Sequence, residues 1–559
     1  MDNPFVILLI GIAVVIGMII GLRINAFIAL ITAAIVVSLL SPGVGIANKI
    51  SDVAAAFGKT AGGIGIVIAL AAVIGKCLMD SGAADRIVRA FVRALGEKGS
   101  SSALAGSGFV LSIPVFFDTV FYLLVPLARS LYRSTKKNYL KYILAISAGA
   151  AVTHTLVPPT PGPLLMAQQL GVDLGMMIGI GAAIGLPAAI AGLCFAKWLD
   201  RKMPIEMRAL PGEDETTEAV PDSKLPGLFV SLLPIILPVA LIGTNTALET
   251  RANGERAAQV KAEDVKDWGA LSAAVSGAQE GPLKTLAGFA AEIPANPTDE
   301  QKAAAVAAIN KALTDREQFD TGASLARANL AIVEHENRKV LESALPETVL
   351  APHVWDTAKR TAANTSKFYG NANFALLLSA VIAVLLYVRQ CKPTKSKFSE
   401  TIESALMSGG LIILITSAGG AFGAALAAAK IGPAIQDMFP TESNTVGIGL
   451  LVLAFAISAL LKIAQGSTTV AVITASGMIA AMLEGMTLPY HPVYLATAIG
   501  GGGLIGSWMN DSGFWIFSKM SGLTEAEALK SWTPLLCVLG LVTFAMSILL
   551  SLVLPLAQA

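Results

Sequence analysis

Four short stretches of this chain set polar or charged side chains beside helix-breaking residues, each within an apolar surround. The first is Ser112-Ile113-Pro114-Val115-Phe116-Phe117-Asp118-Thr119. Proline breaks a helix and frees backbone groups for a ligand. Burial favours the neutral form of a carboxyl, which makes Asp118 a candidate proton carrier; a helix cap held by nearby amides is the plain alternative. The second runs from Val152 to Pro163 and holds His154, Thr160, Gly162 and four prolines. No continuous helix survives that composition, so unwound backbone and the N-terminus of the next half-helix should face a site suited to an anion. His154 donates, accepts or titrates near neutrality, or serves as a structural histidine.

The third stretch is Lys462-Ile463-Ala464-Gln465-Gly466-Ser467-Thr468-Thr469. Hydroxyls after a glycine break cap a half-helix and bind carboxylates or hydroxyls; close helix packing by small residues is the alternative. Lys462 either faces an anion or pairs with an acid. The fourth, Gly500 to Trp515, carries Asn510 and Asp511 at a glycine-rich break. These two supply an amide and a carboxylate for a substrate or coupling ion, or Asp511 caps the turn at Gly513. A glycine run alone is a weak signal and gives no phosphate-binding loop. No metal-ligand pattern, cofactor motif or nucleophile paired with a base is found, which argues against an enzyme.

The elements that must position these residues are membrane helices. The chain has 559 residues, 54% hydrophobic and 14% charged, against about 25% charged in soluble proteins. Many apolar runs reach the roughly 18–20 residues needed to cross a bilayer. A net charge of +1 gives no electrostatic case for nucleic acid. The four cysteines, Cys77, Cys194, Cys391 and Cys537, are expected to be buried small hydrophobes. The first apolar run, which lacks a basic flank, is expected to be a retained helix.

Basic clusters mark the cytoplasmic side of membrane segments. Arg86-Arg89-Arg93 and Arg129-Arg133-Lys136-Lys137 bracket the apolar stretch 101–128, so it should enter the membrane and return. Such a hairpin is tolerated only where protein buries it or where it lines a cavity. An acid at its tip marks a functional position. The same rule puts residues 244–372 on the outer face. Their alanines and charges predict helices in water, with no metal or catalytic cluster and with His335 and His353 as solitary surface residues.

The expected architecture is an all-α polytopic membrane protein with re-entrant hairpins and discontinuous helices. Residues 1–243 and 373–559 form two membrane halves around an extramembrane helical insertion, 244–372. The halves read as inverted repeats. Gly75 precedes Pro114 by about 40 positions, and Gly423 precedes Gln465-Gly466-Ser467 by about the same. Asp118 precedes His154 by about 36, and Ser467 precedes Asn510 by about 43. Inverted repeats with broken helices are how many secondary transporters place a site at the midplane.

At these four stretches the chain resembles the gluconate permease family of proton symporters. THTLVPPTPGP (153–163) is similar to that family's Thr-His-Gly-x-x-Pro-Pro-His-Pro-Gly-Pro signature, KIAQGSTTVA (462–471) to its Arg-Ile-Ala-x-Gly-Ser-Ala-Thr-Val-Ala, and GSWMNDSGFWIF (506–517) to its Gly-Ser-x-x-Asn-Asp-x-Gly-Phe-Trp-x-Phe. SIPVFFDTVFYLLVPL (112–127) resembles a family hairpin that commonly carries Tyr-Glu where Phe117-Asp118 stand. Thr160 replaces a second histidine and Lys462 an arginine; the insertion replaces a short connection.

The resemblance implies import of gluconate or a related small hydroxy-carboxylate with protons, by a homodimer in the inner membrane of a bacterium. The alternative is a sodium-coupled or exchange carrier for another organic anion. The expected substrate site is Asp118, His154, Thr160, Gly162, Lys462, Gly466, Ser467, Thr468, Thr469, Asn510 and Asp511. Proton coupling is assigned to Asp118, His154 and Asp511, with no cofactor.

Overall fold

The computed structural model describes residues 3–18, 22, 24–42, 45, 47–96, 99–208, 224–289, 293–315, 319, 325, 330–430, 444–483, 486, 488–508 and 511–556. The described chain is helical apart from connections and one isolated bridge. It divides into two compact units, Met1–Gly243 with Asn371–Ala557, and Thr244–Gly370.

In the first unit the helices are α1 (Pro4–Ile16), α2 (Ala26–Leu40), α3 (Lys49–Asp80), α4 (Ala83–Leu95), α5 (Ser100–Leu111), α6 (Phe117–Thr135), α7 (Tyr139–Leu156), α8 (Pro161–Leu170), α9 (Leu174–Lys202) and α10 (Leu228–Asn253), the last reaching past the unit boundary. After the helices of the second unit follow α16 (Ala372–Cys391), α17 (Lys395–Ala428), α18 (Asn444–Gln465), α19 (Thr468–Met482), α20 (Val493–Gly502), α21 (Ser512–Met520) and α22 (Glu525–Val553). Seven helical segments among the described residues are long and apolar enough to cross a bilayer.

The breaks fall where local chemistry demands them. Pro114 lies between α5 and α6, and Thr160-Pro161 opens α8, where proline's missing N–H costs nothing. Gly466, between α18 and α19, has φ +86°, a conformation that glycine adopts without steric cost. Four pairs, α5/α6, α7/α8, α18/α19 and α20/α21, are therefore half-helices joined by unwound backbone. α7 lies at the centre. Only Lys141 and His154 among its residues are not buried, and it packs on α5, α6 and α9. A Cβ on Gly149 would meet the Ala105 carbonyl at 2.0 Å, so α5 and α7 touch backbone to backbone. Of the four free cysteines only Cys77 is buried; Cys194 and Cys391 are exposed and Cys537 is half-buried. Lying on an apolar helix therefore did not mean facing its packed side.

The second unit contains α11 (Trp268–Gly277), α12 (Gly281–Phe289), α13 (Asp299–Leu313), α14 (Leu330–Ala344) and α15 (Ala358–Tyr369). Thr298 and Gln301 form a capping box at α13, and Leu271, Leu286, Ile309, Leu313 and Leu341 build its own apolar core. Arg338 is fully buried yet satisfied, donating to Glu342 (2.8 Å), Asp264 (3.2 Å) and the Ala351 carbonyl (3.0 Å). Its two ends are clasped side by side. Ser366 donates to Asn245 (2.8 Å), Arg360 to Asn253 (2.8 Å) and Thr357 to Glu255 (2.6 Å).

His335 and His353 are not solitary. His335 Nδ1 and His353 Nε2 share a hydrogen bond of 2.7 Å, and His353 Nδ1 lies 3.0 Å from Glu342 Oε1. The His335 ring stacks on Trp355 at 3.9 Å. Burial, then His353 beside it, pushes the His335 imidazole down to about 4 from the ordinary 6.5. The unfolded chain thus binds more protons between those values. The stability gained from the neutral ring is complete above pH 6.5 and declines as pH falls towards 4. The melting temperature of the full protein should therefore drop between pH 7 and pH 5, and His335→Gln should shrink that drop. An equal drop in the variant would remove His335 from the acid sensitivity.

Candidate functional site

The unwound segments of both halves of the first unit meet at one cavity of about 270 Å³. Phe116, Phe117 and Asp118 come from the start of α6, His154 and Thr155 from the end of α7, and Ser467, Thr468 and Thr469 from the start of α19. Asp511, Ser512 and Gly513 come from the start of α21, and Trp532 from α22. Three helix N-termini therefore border the same space. At α6 no side chain caps the first turn, so its backbone N–H groups remain available. Such termini carry positive partial charge and suit an anion.

Asp118 faces the cavity with no hydrogen-bond partner among the described residues, and the described lining includes no lysine or arginine. His154 meets Phe116 edge-on, with ring centroids 5.9 Å apart, and its Nδ1 is buried without a partner. Ser467 accepts from the Val470 N–H (3.3 Å) and caps α19. Asp511 caps α21 by accepting from the Gly513 N–H (3.0 Å).

Lys462 does not line the cavity. Its side chain is 0% exposed, and its ammonium donates to Asp511 Oδ2 at 2.7 Å and to the Gly466 carbonyl. The Ser507 hydroxyl donates to the same Asp511 oxygen and accepts from Trp532 Nε1 (2.7 Å). That cation is thus spent on an internal pair, because a buried ammonium needs a counter-charge more than a distant ligand. Gly466 likewise serves the break, as the acceptor for Lys462. Thr160 donates to the carbonyls of His154 (2.9 Å) and Val157 (2.8 Å), which holds the α7/α8 turn together and keeps it out of the cavity. A Cβ on Gly162 would meet Val472 at 3.0 Å, so Gly162 sits in the α8/α19 contact. The start of α8 is therefore packed away, and the end of α7 faces the cavity instead. Asn510 lies outside the described residues.

Phe116, Phe117, Thr155, Ser512 and Trp532 were not among the residues expected. Adjacency to Pro114, His154 and Asp511 could have flagged the first four. Trp532 gave no signal, since one tryptophan on an apolar helix looks like any interfacial aromatic.

Removing one partner of a buried ion pair costs about 3–5 kcal/mol. Lys462→Met should lower the melting temperature in detergent sharply, and Lys462→Met with Asp511→Asn should recover part of it. A single variant as stable as the parent would show that the pair is dispensable.

A sequence profile described as GntP family permease matches residues 3–263 and 345–553, leaving 264–344 unmatched. An uncharacterized permease of Haemophilus influenzae is 28% identical over 94% of this chain and 87% of its own length. The low-affinity gluconate transporter of Escherichia coli K12 is 27% identical (93% and 92%), and the gluconate permease of Pseudomonas aeruginosa 27% (99% and 99%). The crystal structure of the Alcanivorax borkumensis YdaH transporter superposes with a TM-score of 0.50 over 95% of this chain and 98% of that one, at 12% identity, a likeness of fold. With the profile covering most of both membrane halves, the chain belongs to the GntP family of permeases and is a multi-pass membrane transporter.

Proposed function

We propose that this permease imports gluconate or a closely related small hydroxy-carboxylate by proton symport across the inner membrane of a bacterium, with residues 244–372 on the outer face. The observation that carries the proposal is Asp118, exposed to a cavity that offers an anion helix N-termini but no lysine or arginine among its described lining residues. The names of the Escherichia coli and Pseudomonas aeruginosa relatives supply the substrate class.

The cavity of about 270 Å³ lies near the small end of the roughly 300–1,000 Å³ typical of ligand pockets. It suits a short polyhydroxy acid. The N–H groups that open α6 receive the carboxylate. Ser467, Thr468, Thr469, Ser512 and Thr155 offer hydroxyl groups to a hydroxylated chain. Two like charges about 4 Å apart cost about 4 kcal/mol at an effective dielectric constant of about 20. A proton on Asp118 removes that cost, so the anion and a proton enter together. His154, at the same cavity, passes the proton on. Asp511 holds α21 in place through Lys462 and leaves proton carriage to Asp118. The breaks of the two halves act as inverted repeats around this site, which gives the two packings needed for alternating access.

The test is uptake of labelled gluconate into proteoliposomes under an imposed pH gradient without sodium. Accumulation above equilibrium should appear and collapse with a protonophore. Asp118→Asn should abolish the accumulation while leaving exchange at a substantial fraction of the parent rate. Full accumulation by the variant would remove Asp118 from the coupling, and uptake that needs sodium at clamped pH would replace the proton as driving ion.

A further inference from the structure

A second cavity, of about 240 Å³, borders the hairpin tip at Pro114, Val115 and Phe116. Its walls come from α3 (Ala72, Gly75, Lys76), α17 (Ser404, Ala405) and the unwound segment that ends at Phe116. Phe116 also lines the site cavity, so the two spaces border on one residue. Small residues on α3 and α17 keep the second space open. The hairpin tip rests on α3 at Gly75, where a Cβ would lie in ordinary contact with Val115 at 3.4 Å.

The electrostatics of the two cavities differ in a useful way. The site cavity is lined by Asp118 and Asp511 and by no lysine or arginine among the described residues. The second is lined by Lys76 and, among the described residues, by no carboxylate. The Lys76 ammonium donates to Asp80 Oδ1 at 2.8 Å, with both side chains partly exposed, so the pair is solvated and open to exchange with an incoming anion. The Phe116 ring meets His154 edge-on, and Phe116 is the non-helical residue that precedes α6. Its backbone is extended and the residue is half-buried, which leaves its side chain room to change rotamer.

We propose that the second cavity is a transit site for the carboxylate substrate, with Phe116 as the gate between it and the binding site; this rests on the small-carboxylate reading above. An anion leaving Asp118 moves past the Phe116 ring towards the Lys76 ammonium. While the ring is closed, the binding site is sealed on the α3/α17 side, which is what prevents leakage of anion without a proton.

Two measurements test this in the full chain with its native cysteines replaced. In an Ala405→Cys variant, a maleimide should alkylate the introduced thiol several-fold more slowly with saturating gluconate than with an equal concentration of phosphate. Phe116→Ala should lose most of the pH-driven accumulation and leak preloaded gluconate several-fold faster than the parent, with Phe116→Tyr near the parent. Alkylation unaffected by gluconate, or full accumulation by Phe116→Ala, overturns the proposal. If Phe116→Ala fails to fold, the alkylation result decides. Gluconate uptake by the unmodified chain is the control: its absence would sink the substrate reading and leave the alkylation to be repeated with other small carboxylates.

Discussion

The bond between Lys462 and Asp511 sets the terms for the rest of the membrane unit. It joins the end of α18 to the cap of α21, 2.7 Å apart in space though far apart in sequence. Through Gly466 it fixes the start of α19, and through Ser507 it reaches Trp532 on α22. A charged pair buried this deeply is tolerated only when its remaining valences are met, and here nearly every one is. The break in α18/α19 and the break in α20/α21 are therefore held as one object, and the hydroxyls of Ser467, Thr468 and Thr469 stand where they do because of it.

The same bond shapes the cavity by what it withholds. With Lys462 neutralised inside the protein, the attraction offered to an anion comes from backbone at helix starts, a weak and diffuse positive potential. That favours transit over tight retention, as a carrier needs when its cargo must leave again. In the proposed mechanism it also makes the state of one carboxyl, Asp118, decisive for the field that the anion meets.

Much of the fold was legible in the sequence. Apolar runs gave the spans, and Pro114, Thr160-Pro161 and Gly466 marked breaks because each residue has a local steric reason to be there. Asp118, His154, Ser467 and Asp511, grouped from the sequence because polar groups beside such breaks have few other uses, line one cavity. Lys462 was harder, since whether a buried lysine faces a ligand or an acid depends on a partner 49 positions away. Thr160 and Gly162 pack away from the cavity for a related reason: a break exposes one side of the chain and packs the other, and residue type does not say which. The pairing of His335 with His353 was likewise hidden, because it joins a helix to a loop through a contact with no periodicity.

The clasp at the ends of the second unit has an evolutionary meaning. Asn245 with Ser366, Asn253 with Arg360 and Glu255 with Thr357 bring outgoing and returning chain together. The stretch that the family profile leaves unmatched, 264–344, lies wholly beyond these rungs. Loop-closure entropy rises only with the logarithm of length, and a closed neck confines even that cost to the far side. A lineage could thus lengthen, shorten or exchange what lies past the neck by small genetic steps, each one silent to the membrane unit.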